Sequence, residues 1–204
     1  MERYLAYARM RIAECELFMK GDFTLNVKDR PWKVFKAFGE DGLFQIKATS
    51  SGVDAIKLKD GLDKTIPYIS RSANNNGIVD FIDDSNREFG IDERGNITIG
   101  LDTQTAFYQP HEFVTGQNIH IVSGDKTNRY TAQFLVVILR NQMNAKFNWG
   151  GNGATLGRLK RLKIMLPVNS SGQPDYEFME QYVSEREHRM LEEYLRYISE
   201  SRRS

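Results

Sequence analysis

A single cysteine, Cys15, stands among the 204 residues, so no disulfide can close within the chain, and a lone thiol fits a reducing cytoplasm. Long apolar runs are as scarce. The longest, Phe134 to Leu139, falls far short of the roughly 20 residues a bilayer-spanning helix needs, and Arg3, Arg9 and Arg11 interrupt any signal-peptide pattern near the start. The expectation is a cytoplasmic protein that does not engage a membrane. The three histidines, His111, His120 and His188, are too scattered to suggest a metal site. Catalytic signatures are missing as well. There is no Gly-Lys-Ser/Thr of a P-loop, no Asn-Pro-Pro-Tyr of the amino-methyltransferase kind, and no Asp-x-Lys or Glu-x-Lys triplet to complete a nuclease site. Gly151 to Gly157 carries the wrong glycine spacing for a nucleotide loop. These absences predict a chain with no catalytic residues, no metal and no cofactor.

What is present suits one domain, or one domain plus a long helix, with enough residues to bury a core. The net charge is only +1, but it is unevenly spread. Between Asp125 and Lys163 stand eight Lys or Arg, namely Lys126, Arg129, Arg140, Lys146, Arg158, Lys160, Arg161 and Lys163, against the single acid Asp125. The balancing acids gather in Asp80 to Glu93 and Asp175 to Glu193. A segregated basic face is the footprint of a polyanion partner, although charge blocks also serve as plain solvated surface.

At the N-terminus, Met1, Leu5, Ala8, Ile12, Cys15 and Met19 are spaced 4-3-4-3-4. This is a heptad helix stopped by Gly21, packed either on its own domain or in a coiled coil. Strands begin near Trp32, with Trp32 to Phe35 and Leu43 to Gly52 readable as an edge hairpin holding buried aromatics. From Thr65 a short strand opens into Ser70-Arg71-Ser72-Ala73-Asn74-Asn75-Asn76-Gly77. Arg pairs with guanine N7 and O6, Asn with adenine N6 and N7, and Ser with phosphate, so this loop has the donors and acceptors of a DNA reader. The same groups could brace a fold. Arg94-Gly95-Asn96 is expected to turn a hairpin into Ile97 to Gly100, Gln104 is a polar candidate in the loop before Thr105, and Phe113 to Val122 reads as strand. Thr127 or Asn128 could cap a helix from Arg129 to Asn144 that covers the sheet with Phe134, Leu135, Ile138 and Leu139.

Lys160 to Leu166 alternates, with Leu162, Ile164 and Leu166 on one face and Arg161, Lys163 and Met165 on the other. A half-buried strand with a basic outer face follows, so Arg158, Lys160, Arg161 and Lys163 are candidate phosphate contacts. Pro167 ends it, Asn169 to Gly172 turns, and Pro174-Asp175 starts a helix that runs almost to the end of the chain. That helix has one apolar patch at Tyr176, Met179, Tyr182 and Val183, a polar break from Ser184 to Arg189, and a second patch at Leu191, Tyr194, Leu195 and Ile198.

The segment Lys163-Ile-Met-Leu-Pro-Val-Asn-Ser-Ser-Gly-Gln-Pro-Asp-Tyr-Glu-Phe-Met-Glu-Gln-Tyr182 resembles the exit of a target recognition domain in the specificity subunits of type I and related bipartite restriction-modification systems. Four earlier stretches match the same family in order: Trp32-x-x-Phe with Leu43-Phe-x-Ile, Pro67-Tyr-x-Ser-Arg-x-x-x-Asn-Asn-Gly77, Ala106-Phe-Tyr108, and Lys146-Phe-x-aromatic-Gly150. The resemblance covers roughly Trp32 to Tyr182. It implies an α+β fold, with a mixed curved β-sheet recognition domain, covering helices and a long C-terminal helix like those of a coiled coil. It also implies double-stranded DNA and methyltransferase subunits, with or without a restriction subunit, as partners, and adds Lys146 and Asn148 as phosphate contacts. On this reading, residues 1–21 form an N-terminal helix, 22–174 the recognition domain, and 175–204 the helix for dimerisation or methyltransferase docking. Only one recognition domain fits in the chain where the family usually has two, which suggests a half-subunit that forms a homodimer, with Leu5 and Ile12 opposite the Leu191 patch, or a piece of a larger system. An enzyme with an unrecognised site, or a protein-interaction module with a merely solvated basic strip, are the competing readings.

Overall fold

The computed structural model describes residues 2–19, 25–147 and 153–201. The expected stop at Gly21, the candidate Asn148 and the segment 149–152 lie outside these described residues. The architecture is α+β, with open, mixed sheets and a long C-terminal helix. Two compact units share the chain, Val34–Leu166 in one and Met1–Lys33 with Pro167–Ser204 in the other.

The second of these is built on α1 (Glu2–Phe18) packed against a helix that we label α4 (Tyr176–Ser201). The heptad spacing locates the covered face of α1: Ala8 and Cys15 are buried and Leu5 and Ile12 half-buried. Asp175 starts α4 as expected, its Oδ1 accepting from the Phe178 amide at 3.1 Å, and Glu177 occupies the first turn, where the positive end of the helix dipole favours it. The polar stretch from Ser184 to Arg189 corrects the sequence reading. It is not a break, because Ser184, Glu185 and His188 are among the most buried residues of α4. Arg11, buried on α1, donates from Nε and Nη2 to Glu187 Oε1 at 3.0 and 2.9 Å, and His188 Nε2 stands 3.4 Å from Glu16 Oε1. Arg189 donates to Glu185 at 2.6 Å. These polar residues are buried because they pair, which removes most of the penalty for burying charge.

In the larger unit, Gln45–Ala48 (β2), Ile119–Ser123 (β8), Asn96–Gly100 (β5) and Ala106–Gln109 (β6) form an antiparallel sheet in that spatial order. A second, mixed sheet sets Ile78–Asp83 (β4) antiparallel and Val114–Thr115 (β7) parallel to Lys64–Ile69 (β3). Trp32–Lys36 (β1) pairs with Lys163–Pro167 (β9) where the chain enters and leaves the unit. Ile69, Phe113, Ile119 and Ile121 form one buried cluster, and Val53, Ile66, Tyr68, Ile82 and Val114 another. α2 (Arg129–Lys146) packs on β5 and β6, as its apolar face predicts. Its cap is Asn128, whose Oδ1 accepts from the Tyr130 and Thr131 amides while Thr131 Oγ1 accepts from the Asn128 amide. Such a box is worth about 1 kcal/mol.

Four strand expectations change. Trp32 to Phe35 and Leu43 to Ile46 do not form a hairpin, since β1 takes β9 and β2 takes β8; only the Leu43 and Phe44 amides reach back to Lys36 and Ala37. Arg94 to Asn96 does not turn a hairpin either. The run before it, Asp84–Phe89, winds into a 3-10 helix started by Asp83, whose carboxylate accepts from the Ser85 amide at 2.9 Å. The true partner of β5 lies after it, in β6. Phe113 to Val122 is two strands in two sheets, split at Gly116 to Asn118, where Asn118 turns the chain with φ 61. Finally, β9 starts only at Lys163, because Leu156–Leu159 forms a short helix, α3, which Lys160 ends in a helical conformation. Alternation survives beyond it: Leu162, Ile164 and Leu166 are buried and Lys163 and Met165 exposed.

His120 of β8 is buried, and neither ring nitrogen has a hydrogen-bond partner among the described residues. Burial lowers its pKa from the ordinary 6.5. The folded chain therefore holds it neutral, whereas the unfolded chain takes up a proton once pH drops below about 6.5. The His120 contribution is complete above that pH and is lost as pH falls toward the depressed folded value. Urea midpoints should drop between pH 7 and 5.5 in the parent, and less so in His120→Leu; equal drops would assign the acid lability to other groups.

Candidate nucleic-acid interface

Sequence candidates fall into two groups within the unit Val34–Leu166, one of polar loops and one of basic side chains. The first group starts at the β3–β4 loop. Asn75, Asn76 and Gly77 have φ of 50, 58 and 80, three successive left-handed residues that make a tight reversal. Gly suits position 77, where φ is positive and a Cβ would crowd Ile69 at 3.2 Å and Phe107 at 3.4 Å. Asn76 is committed to the scaffold: its Nδ2 donates to Tyr108 O at 2.9 Å and to Gln109 Oε1 at 3.3 Å, and Gln109 Nε2 returns a bond to Asn76 O at 3.1 Å. Ser72 is also turned inward, its Oγ bonding the Asn74 amide and carbonyl. The Ser70 amide donates to Gly77 O at 2.9 Å and closes the loop base. What the loop presents outward is Arg71, Asn74 and Asn75, all exposed. Arg71 Nη1 is hydrogen-bonded to Asp102 Oδ2.

Asp102 belongs to the β5–β6 loop, which is fixed by its own side chains. Gln104, with φ 50, donates from Nε2 to the Leu101 and Asp102 carbonyls at 3.3 and 2.7 Å, and Thr103 and Thr105 hydroxyls bond at 2.9 Å. Leu101 ties in a third segment, its carbonyl accepting from the Ala154 amide at 3.0 Å. That segment carries Arg158, whose Nη1 donates to Gly153 O at 3.0 Å. Three polar segments distant in sequence thus meet around Leu101.

The basic group gathers at β1 and β9. Lys160, Arg161 and Lys163 are exposed and pair with no carboxylate among the described residues. Lys160 and Arg161 lie on the turn after α3 and not on a strand, a correction that leaves them next to Lys163 in any case. Lys146 reaches the same place from the end of α2, its Nζ 3.5 Å from Lys163 O. Lys36 was missed by sequence reasoning. It flanks Gly39, as does the Lys160 carbonyl, and its only sequence signal is membership of the strand that pairs with β9. Asp102 was missed too, since an acid has no place in a search for basic contacts. Elsewhere, an open cavity of about 640 Å³ is lined by Glu93, Arg94, His111 and Glu112. Arg87 bonds both Asp84 and Glu112 at its edge, holding the Glu112 carboxyl below its ordinary value. Two carboxylates suit that cavity poorly to a polyanion, and it shares no residue with either group.

In α4, Leu191, Leu195 and Ile198 are half-buried, while Tyr194 is exposed. Among the described residues no group of three His, Cys, Asp or Glu could hold a metal ion, and no helix is long and apolar enough to cross a membrane.

Comparison with known proteins shows the family. The family model of the type I restriction modification DNA specificity domain matches residues 31–194. The chain is 30% identical over 176 residues to the type II restriction enzyme BgcI specificity subunit S.BcgI of Heyndrickxia coagulans, a match covering 81% of this chain and 46% of that protein. Of solved structures, the S subunit of a type I restriction-modification system from M. genitalium superposes with a TM-score of 0.51 at 13% identity, over 97% of this chain and 50% of that one. A chain from a study of complex assembly and conformational transition of the type I R-M system gives 0.50 at 15% identity, over 100% and 50%. At such identities the structural likeness is one of fold. The chain spans about half the length of the relatives it matches. With four-fifths of its residues under the family model, the chain belongs to the type I restriction modification DNA specificity domain family.

Proposed function

We propose that this chain reads a particular sequence in double-stranded DNA on behalf of a restriction-modification system and leaves cleavage and methylation to partner subunits. The observation that carries the reading is the meeting of three polar segments around Leu101, in a unit that also gathers Lys36, Lys146, Lys160, Arg161 and Lys163 near β9. Lys146, Lys160, Arg161 and Lys163 supply affinity through phosphates, and Arg71, Asn74 and Asn75 supply discrimination through base edges. Ser70, Ser72, Asn76, Gln104 and Arg158 hold the loops in place. Asn148 would add a phosphate contact beside Lys146.

This chain spans about half the length of its relatives, and on this reading it supplies one half of a bipartite reader, the other half being a second copy, a companion chain or a further part of a larger protein. Two copies, or one copy and a companion chain, would be joined through α1 and α4, with Tyr194 on the exposed side and Leu191, Leu195 and Ile198 along its rim. The same helices would receive a methyltransferase subunit. The 26 residues of α4 extend about 39 Å at 1.5 Å per residue, near the roughly 34 Å turn of B-DNA, so the helix has the length to space two half-sites one turn apart. Selection of bound duplexes from a random pool tests all of this together. A bipartite consensus supports both reading and pairing, one short motif supports reading by a single copy, and a pool that never enriches ends the proposal.

A further inference from the structure

We propose that Asp102 is a specificity-determining residue, reading one G·C base pair jointly with Arg71. The inference rests on the reading of this chain as a DNA sequence reader. Asp102 is the only acid in the three segments that meet around Leu101, residues 70–77, 101–105 and 153–158. A carboxylate in that position repels phosphate, so it weakens general binding and needs a compensating role. Its placement is rigid. Gln104 clamps the Asp102 carbonyl, the Thr103 and Thr105 hydroxyls close the loop, and the Leu101 amide donates to Asn118 O at 3.0 Å. Rigid placement on strand ends is what base reading requires.

The chemistry of the pair then fits one base-pair edge. Bonding to Asp102 uses one N–H of Arg71 Nη1 and leaves the other donors of the guanidinium fork available. On the carboxylate, Oδ2 takes that bond, and Oδ1 accepts no hydrogen bond among the described residues. Side by side, the two groups present donor, donor, acceptor. In the major groove a G·C pair presents guanine N7 and O6 as acceptors and cytosine N4 as donor, which is the complement. An A·T pair would set adenine N6–H against a guanidinium N–H and thymine O4 against the carboxylate. Both contacts would be repulsive, so the acid rejects as well as selects.

The test uses the full chain and its selected duplex. Arg71→Ala identifies the base pair at which it loses preference. At that pair, Asp102→Ala should lose roughly tenfold to a hundredfold of its preference for G·C over A·T, while binding scrambled DNA no more weakly than the parent. The double substitution should lose no more than Arg71→Ala alone. A DNA-side probe avoids any doubt about folding: replacing the cytosine by 2-pyrimidinone, which lacks the N4 amino group, should weaken the parent about tenfold and leave Asp102→Ala unaffected. A parent that prefers no sequence overturns the reader itself and this inference with it. If the parent is selective but Asp102→Ala keeps its preference, or loses affinity equally on all duplexes, or the parent ignores 2-pyrimidinone, the reader stands and the role of Asp102 falls.

Discussion

Replacing Lys160, Arg161 and Lys163 together by alanine is expected to weaken binding to every duplex alike, preferred or scrambled, by roughly two to three orders of magnitude at 0.1 M salt. The three exposed side chains come from one short segment in which the neighbouring Leu159, Leu162 and Ile164 are buried and fix the backbone. Each phosphate neutralised releases counterions and contributes about 0.9 to the slope of log affinity against log salt, so the triple variant should lose about 2.7 from that slope. Stability should barely change, because all three are exposed. Titrations at several salt concentrations read both quantities. A slope that stays at the parental value would show the segment to be plain solvated surface, and a loss confined to the preferred duplex would move these residues from affinity to discrimination.

Arg11→Leu is expected to cost the chain about 3 kcal/mol, the low end of the range for breaking a buried ion pair. Arg11 is 2% exposed and binds Glu187 through two nitrogens, and the Glu187 side chain keeps 18% of its surface accessible, which moderates the loss. Removing the guanidinium takes from half-buried Glu187, and from the more exposed Glu14, a cation to which each is paired. Adding Glu187→Leu should recover most of the loss, since two packed apolar groups replace the pair without stranding a charge. Urea unfolding followed by the helical circular dichroism signal measures each variant, and a single-variant loss below about 1 kcal/mol would mean that solvent screens this pair as it screens surface pairs.

The same ion pair shows where sequence reading stops. Apolar periodicity found α2, the end of β9, the start of α4 and, apart from Arg11, the covered face of α1, because there the buried residues are mainly hydrophobic and repeat at the period of the element. It failed at Ser184 to Arg189, where the covered residues are polar and find partners far off in sequence, as half-buried Glu187 does in Arg11, 176 positions away, and buried His188 does in Glu16. Period says nothing about such pairing. Local chemistry likewise found the β3–β4 loop and its asparagines, but not that Asn76 is tied to Gln109 or that Arg71 is held by Asp102, since neither partner is near in sequence. The misplaced hairpin at Arg94 has the opposite cause, a local signal too strong for its context: Gly95 does turn the chain, with φ 84, but the arm before it had already been drawn into the 3-10 helix begun by Asp83.

The pairing of β1 with β9 has a consequence for inheritance. The unit Val34–Leu166 begins and ends on neighbouring strands, and the Ala37 amide donates to Leu162 O at 2.9 Å. Everything between is a closed excursion that starts and finishes at one doorway. Segments whose ends lie close together can be inserted, removed or exchanged without reshaping what flanks them. A recombination event with one breakpoint in each of these strands would carry away the whole of the proposed reading surface and leave α1 and α4 as they were. A lineage could in this way acquire a new target in one step, without passing through the many single substitutions that would first spoil the old one.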